Sequence, residues 1–316
     1  MLFKLSQQTA LSSFNISRSF LAVWGKKGSE SIASPAATCM AVCIMVATRS
    51  GDVLISLQGS SSAKYLLPKR ASCIISWPAN EFLNLEGRKL STSKNWAVWL
   101  HEYLQDFPEK QDVLRYVLTA NAPETKDNDF TWRDFQARND NELVAIYGNF
   151  INRIVVLTHK YYEGVVPAPN HNTQLDEETI EELRSLPIQI ATAVENYRFR
   201  EASQILLKIA RLGNKYLADE EPWKQQKTNP ERVKTIMYNG LQIAAVLAIA
   251  STPFLPQTAN NLKTILGLSL QSNWSDMTQS ELVAVGTVLA PSELLFSKVE
   301  DDDVQIQLDK LKNQSI

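Results

Sequence analysis

Between Asn139 and Ala250 apolar side chains recur at three- and four-residue steps in four successive runs, and this periodicity constrains the fold more than any other feature of the chain. The first run carries Leu143, Tyr147, Phe150, Ile154, Leu157 and Tyr161. Asn139 and Glu142 are spaced as a capping box at its start, and Gly164 stands at its end. Thr173 with Asp176 opens the second run. The third, from Phe199 to Leu217, turns Ala202, Ile205, Leu206, Ile209, Ala210 and Leu217 inward. The fourth, from Glu231 to Ala250, is stopped by Pro253 and Pro256. Short connections, among them residues 165–169 and 219–223, predict an antiparallel helical bundle.

The chain of 316 residues is 44% hydrophobic and 21% charged, enough to bury a core in two or three domains. Its net charge of −2 excludes nucleic-acid binding by overall charge, so any RNA contact has to come from a local basic face. The first 77 residues differ from the rest. They are serine-rich, with Glu30 and Asp52 as acids against Lys4, Arg18, Lys26, Lys27, Arg49, Lys64, Lys69 and Arg70, and the longest apolar stretch, Met40 to Ala47, keeps no sustained period. An irregular segment is expected here, either a transit peptide or a non-native, frame-shifted start. Cys39, Cys43 and Cys73 are too few and odd in number for a disulfide framework, which points to a reducing, cytoplasmic setting. No apolar run approaches the roughly 18–20 residues of a membrane span, so no membrane partner is expected.

Gly87-Arg88-Lys89-Leu90-Ser91-Thr92-Ser93-Lys94-Asn95 gathers three cations and three hydroxyls into one turn. Ammonium and guanidinium groups neutralise phosphate charge while hydroxyls and backbone N–H groups donate to its oxygens, so such a turn can wrap a triphosphate. Basic, serine-rich turns are also common as solvated loops. A second candidate surface lies on the helix predicted from Asn139 to Tyr162. Asn149 and Arg153, four residues apart, share one face, and an amide beside a planar guanidinium suits the edges and faces of unpaired bases. A polar helix face is the plainer reading. His101, His159 and His171 have no metal-ligand spacing among themselves or with the cysteines, so no zinc site is expected.

Lys89-Leu90-Ser91-Thr92-Ser93 resembles the KMSKS signature of class I aminoacyl-tRNA synthetases. Its flanks, Asn80 to Gly87 and Asn95 to Trp99, are similar to those of methionyl-tRNA synthetases of the Bacteroidetes type, as are Asp112 to Leu118 and Pro123 to Phe130. Asn149 and Arg153 match the family's anticodon-reading pair, and Asn214-Lys215-Tyr216…Pro222-Trp223 matches the motif whose tryptophan stacks on an anticodon base. The resemblance implies catalytic or ATP-binding roles for Lys89, Ser91, Thr92, Ser93 and Lys94, and anticodon-binding roles for Asn149, Arg153, Pro222 and Trp223. It further implies ATP with Mg²⁺, methionine and tRNA(Met) as cofactors and substrates. Thr92 departs from the signature's usual lysine, and Lys94, just outside the motif, can supply that charge.

The expected fold is therefore mainly α: an anticodon-binding bundle over residues 119–270, preceded over 78–118 by a small α/β segment bearing the KMSKS loop. Residues 1–77 are left unassigned and residues 271–316 form a tail with short helices, Val304 to Lys312 among them. The family's nucleotide-binding domain carries a HIGH motif and a zinc knuckle, and no His-x-Gly-His occurs in this sequence. A truncated methionine–tRNA ligase, inactive alone, is one expectation. A stand-alone anticodon-binding module, or half of a synthetase whose N-terminal half is separately encoded, is the other. A different class I synthetase is disfavoured by Asn149, Arg153 and Trp223.

Overall fold

A computed structural model of the chain describes residues 80–279 and 281–314, with two strand dipeptides before them, β1 (Ala22–Val23) and β2 (Val42–Cys43), paired antiparallel. The irregularity expected over residues 1–77, and Cys39 and Cys73, lie outside the described residues.

A small sheet opens the continuous part. β3 (Leu83–Leu85) and β4 (Arg88–Lys89) form an antiparallel hairpin with Leu85 opposite Arg88, and β5 (Asn128–Phe130) adds in parallel to β3. Glu86 and Gly87 make the turn with φ of 49° and 73°, the left-handed pair that a two-residue hairpin needs. Asp129 fixes the turn by accepting the Gly87 N–H at 2.9 Å. Helices α1 (Leu100–Asp106), α2 (Gln111–Ala120) and α3 (Trp132–Arg138) surround the sheet. Tyr103, Phe107, Phe130, Trp132 and Phe135 meet there in one buried aromatic cluster with centroids 5.2–6.3 Å apart, which ties α1 and α3 to β5.

The expected capping box at Asn139 is not observed. Thr131 caps the helix, accepting the Asp134 N–H at 3.1 Å, and the chain runs helically from Trp132 to Tyr162 through a π-helical stretch, Asn139–Gly148, into α4 (Asn149–Tyr162). Asn139 is fully buried with αR backbone and spends its amide on Asp140 and the Ser297 carbonyl (2.8 and 2.9 Å). Glu142 accepts from Tyr116 at 2.7 Å and from Arg138. Tertiary partners have taken the two side chains that a cap would use.

The bundle itself follows the periodicity. α6 (Phe199–Glu220) and α8 (Pro230–Ser251) pack on α4 and on each other, α5 (Gln174–Glu195) packs on α6 and α8, α9 (Pro256–Ile265) packs on α8, and the capping box of Thr173 and Asp176 opens α5 as expected. Short helix α7 (Pro222–Gln225) links α6 to α8. α8 is long and apolar enough to cross a membrane by composition, contrary to the reading of the bare sequence; 83% of that stretch is buried inside the protein, as befits the central helix of a bundle. Gly213 and Gly240 let α6 and α8 approach α4: a Cβ on Gly213 would stand 2.3 Å from the Phe150 ring, and one on Gly240 2.6 Å from Ile154. Phe150 is fully buried and cannot step aside. Gly213→Ala is therefore expected to destabilise the chain by about 1–3 kcal/mol, outweighing the gain in helix propensity of roughly 1 kcal/mol, as a lower urea midpoint would show.

The tail is a strap rather than an appendage. Gly286 donates its backbone N–H to the Val166 carbonyl, Val166 donates to Thr287, Leu289 donates to Gly164, and Ala290 donates to Ile265. His159 bonds the Ala290 carbonyl at 2.9 Å. Farther on, Lys110 donates to Ser297 at 2.7 Å, and Val299 donates to Asp140. Helix α10 (Asp301–Gln314) lies on the first helices, Arg133 pairing with Asp301 and Lys310 with Asp106. The strap thus joins the bundle back to the α/β segment.

Candidate functional site

The cationic turn is a second tight loop directly after β4. Ser91 and Trp96 exchange backbone bonds of 2.9 and 2.8 Å, leaving Thr92, Ser93, Lys94 and Asn95 as the loop, with Asn95 at a φ of 53°. Indoles pin its base: Trp96 Nε1 donates to the Leu85 carbonyl at 2.8 Å and Trp99 Nε1 donates to Asn95 Oδ1 at 3.1 Å. Arg88 lies over the Trp96 ring at 4.7 Å and Lys89 over Phe82 at 5.0 Å. Ser91 and Ser93 share a hydroxyl bond of 3.2 Å. Lys89, Ser93 and Lys94 are exposed, and Ser91 and Thr92 half-buried. Ser91, Thr92, Ser93 and Lys94 therefore sit together at one hairpin tip, with three hydroxyls and an ammonium on one short arc, and Lys89 stands just before it in β4. Such an arc can bind an anion by charge and donation together.

On α4, Asn149 is exposed and Arg153, one turn later, is half-buried. The Arg153 guanidinium lies 5.0 Å from the centroid of the Trp223 ring, which comes from α7, 70 positions away in sequence. Trp223 is 39% exposed, and the preceding Pro222 is buried at the start of α7. An amide, a guanidinium and an indole thus share an open surface. A flat ring with an accessible face beside planar donors can stack and edge-bond an unpaired base.

Asn214 and Tyr216 of the family motif help hold this surface, together with Glu220 and Arg232, which were not singled out from the sequence for it. Asn214 Nδ2 donates to the Ile146 carbonyl at 2.9 Å, locking α6 to the end of the π-helical stretch just before Asn149. Arg232 at the start of α8 bonds Asp176 of α5 through both carboxylate oxygens and Glu220, the residue before α7's N-cap, at 2.6 Å. Tyr216 donates its hydroxyl to the same Asp176, which is fully buried. Burial pushes the Asp176 carboxyl up, but hydrogen bonds from Arg232, Tyr216 and Thr173 outweigh it and hold the group at about 2. Burial and the Asp176 contact raise the Tyr216 hydroxyl, so it stays a donor. The sequence signals for this network were the capping Asp176 and the Tyr216 of the family motif; nothing local links positions 176, 220 and 232.

Comparison with known proteins gives concordant matches. A family model described as class I tRNA synthetases (M) matches residues 64–155, and one for the anticodon binding domain of methionyl tRNA ligase matches residues 166–314. The methionine–tRNA ligase of Flavobacterium psychrophilum is 60% identical over 253 residues, 80% of this chain and 36% of that protein. That of Christiangramia forsetii is 61% identical over 254 residues, 78% of this chain and 36% of the relative. The chain spans about a third of the length of these relatives. In fold, a Mycobacterium tuberculosis methionyl-tRNA synthetase in complex with methionyl-adenylate superposes with a TM-score of 0.64 at 21% identity, over 70% of this chain and 43% of that one.

Proposed function

Because the chain belongs to the methionine–tRNA ligase family and spans about a third of its relatives' length, we propose that it contributes two binding elements of such a ligase. The first is an anticodon surface for tRNA(Met) made by Asn149, Arg153, Pro222 and Trp223. The second is an ATP-binding turn made by Lys89, Ser91, Thr92, Ser93 and Lys94. In the turn, Lys89 and Lys94 neutralise phosphate charge, Lys94 standing in for the lysine that Thr92 replaces. The hydroxyls donate to phosphate oxygens that carry more charge as pyrophosphate departs, which is where such donors lower a barrier. Mg²⁺ accompanies the triphosphate in this reading.

Ligation of methionine needs, beyond this turn, an amino-acid pocket and groups facing the other side of the nucleotide. In this reading they come from the part of the relatives that the chain does not span, joined covalently or as a separately encoded polypeptide, and the assembly works in the cytoplasm. A module that only binds the anticodon is the second reading, favoured by the open, ready-formed pairing of Arg153 with Trp223.

That pairing is the observation that carries the proposal: two planar groups from distant helices meet on the surface at 5.0 Å with the indole still accessible. The test is binding of the chain to methionine tRNA bearing its CAU anticodon, against the same tRNA with a changed anticodon. Binding weaker by about tenfold or more for the changed tRNA is expected, since each misread base costs roughly 1–3 kcal/mol. Equal affinity for both would remove the anticodon reading.

A further inference from the structure

The place of the Trp223 ring is decided by α7, and a helix of four residues does not hold itself in water. It is held from outside by its neighbour in sequence. Glu220, the last residue of α6, offers its backbone carbonyl and its carboxylate to the same partner: Gln225 Nε2 donates to Glu220 O at 2.6 Å and to Glu220 Oε2 at 3.3 Å. Gln225 is the last residue of α7, so the bond closes a ring around the whole short helix. Glu220 is itself fixed, because Arg232 Nη2 donates to Oε1 at 2.6 Å and Arg232 Nε to Oε2 at 3.2 Å. The guanidinium cannot swing with it, since Asp176 Oδ1 accepts Nη2 at 2.9 Å and the arginine side chain is only 10% exposed. Inside the ring, Glu221 has a φ of 42° and Pro222 is buried, which leaves the backbone before Trp223 little freedom.

We propose that Gln225 is a positioning residue for base stacking: with Glu220 and Arg232 it clamps α7 so that the Trp223 indole is already set at the angle an unpaired base meets. This rests on the anticodon reading above. The clamp lowers the ordering cost of binding, because a ring fixed before the RNA arrives does not have to be immobilised afterwards. Gln225 does this without touching the base.

The full 316-residue chain is the material for the test, with methionine tRNA as the probe and fluorescence anisotropy as the readout. Gln225→Ala is expected to weaken binding on the order of tenfold, about 1.4 kcal/mol. Its urea midpoint should stay within error of the parent, because Gln225 is half-buried at the surface and its loss leaves no unpaired charge. In a Trp223→Ala background the same change is expected to shift affinity by less than about twofold, since there is no ring left to position. A tenfold loss in that background too, or no loss in the parent, overturns the clamp while leaving the anticodon surface standing. Trp223→Ala with unchanged affinity overturns the anticodon reading itself and the clamp with it. Gln225→Glu keeps the size but sets a carboxylate against Glu220, and is expected to lose at least as much as alanine; parental affinity for it would overturn the clamp.

Discussion

Asp176→Ala is expected to destabilise the chain by about 3–5 kcal/mol, the usual cost of removing one partner from a buried ion cluster. The carboxylate is fully buried and serves three helices at once: it closes the capping box of α5 with Thr173, accepts from Tyr216 of α6, and takes both terminal nitrogens of Arg232 of α8. Without it the arginine retains one carboxylate, Glu220, where it had two, and a buried tyrosine hydroxyl loses its acceptor. Urea unfolding measures the effect, and a midpoint within error of the parent would show that the cluster contributes nothing. The same group sets an acid limit. Its carboxyl is held at about 2, below its usual value near 3.8. The unfolded chain therefore binds the proton first, and the stabilisation is complete above pH 4 and disappears as pH falls through 2. Stability measured from pH 6 down to 2 should fall most steeply below 4, and Asp176→Asn should flatten that limb.

Local pattern carried most of the bundle and little of its fastenings. Thr173 and Asp176 announce α5 because a capping box needs only four residues of sequence, and the runs ending at Leu217 and Ala250 announce α6 and α8 because helical period is written residue by residue. Asn139 and Glu142 misled by the same logic. Their spacing is that of a cap, yet Ser297 and Tyr116 claim them from 158 and 26 positions away, and a window of local sequence cannot see that. The π-helical stretch was hidden for a related reason: its backbone follows packing against α6, where Asn214 takes the Ile146 carbonyl, rather than any residue preference of its own. The strap over residues 281–300 has neither period, so its docking on Gly164, Ile265 and Asp140 was not legible at all.

The candidate surface divides in the same way. Asn149 and Arg153 declare themselves as neighbours by their spacing of four, and the cationic turn by its composition. Trp223 joins them only through the resemblance to a family, since 70 residues separate it from Arg153, and the meeting of the two is a property of the tertiary fold. Glu220, Gln225 and Arg232 are ordinary polar residues in a sequence. They become informative only when their side chains are seen to meet across the ends of α7.

Trp223→Ala is expected to weaken binding of methionine tRNA by about 1–3 kcal/mol, the range measured when a stacking aromatic is removed. The magnitude depends on which face of the indole the base takes. Arg153 already covers one face, and a cation over an exposed ring contributes roughly 0.5–1 kcal/mol. A base stacking on that side must displace the guanidinium and forfeits this amount, which puts the loss on mutation near the lower end. A base on the opposite side sandwiches the indole between itself and Arg153, and the loss then nears the upper end. Trp223→Phe separates the stacking surface from the rest of the indole and should fall between tryptophan and alanine. Because no phosphate contact is removed, the slope of log affinity against log salt should be unchanged in both variants, whereas removing a lysine that touches the backbone would lower it. With the ring 39% exposed and covered on one face by Arg153, its removal should also cost stability, by about 1–3 kcal/mol, so affinities are compared under conditions where urea unfolding shows both proteins fully folded. Alanine and tryptophan binding alike, with both proteins folded, would take Trp223 out of the site and leave the open pairing with Arg153 as a feature of the surface only.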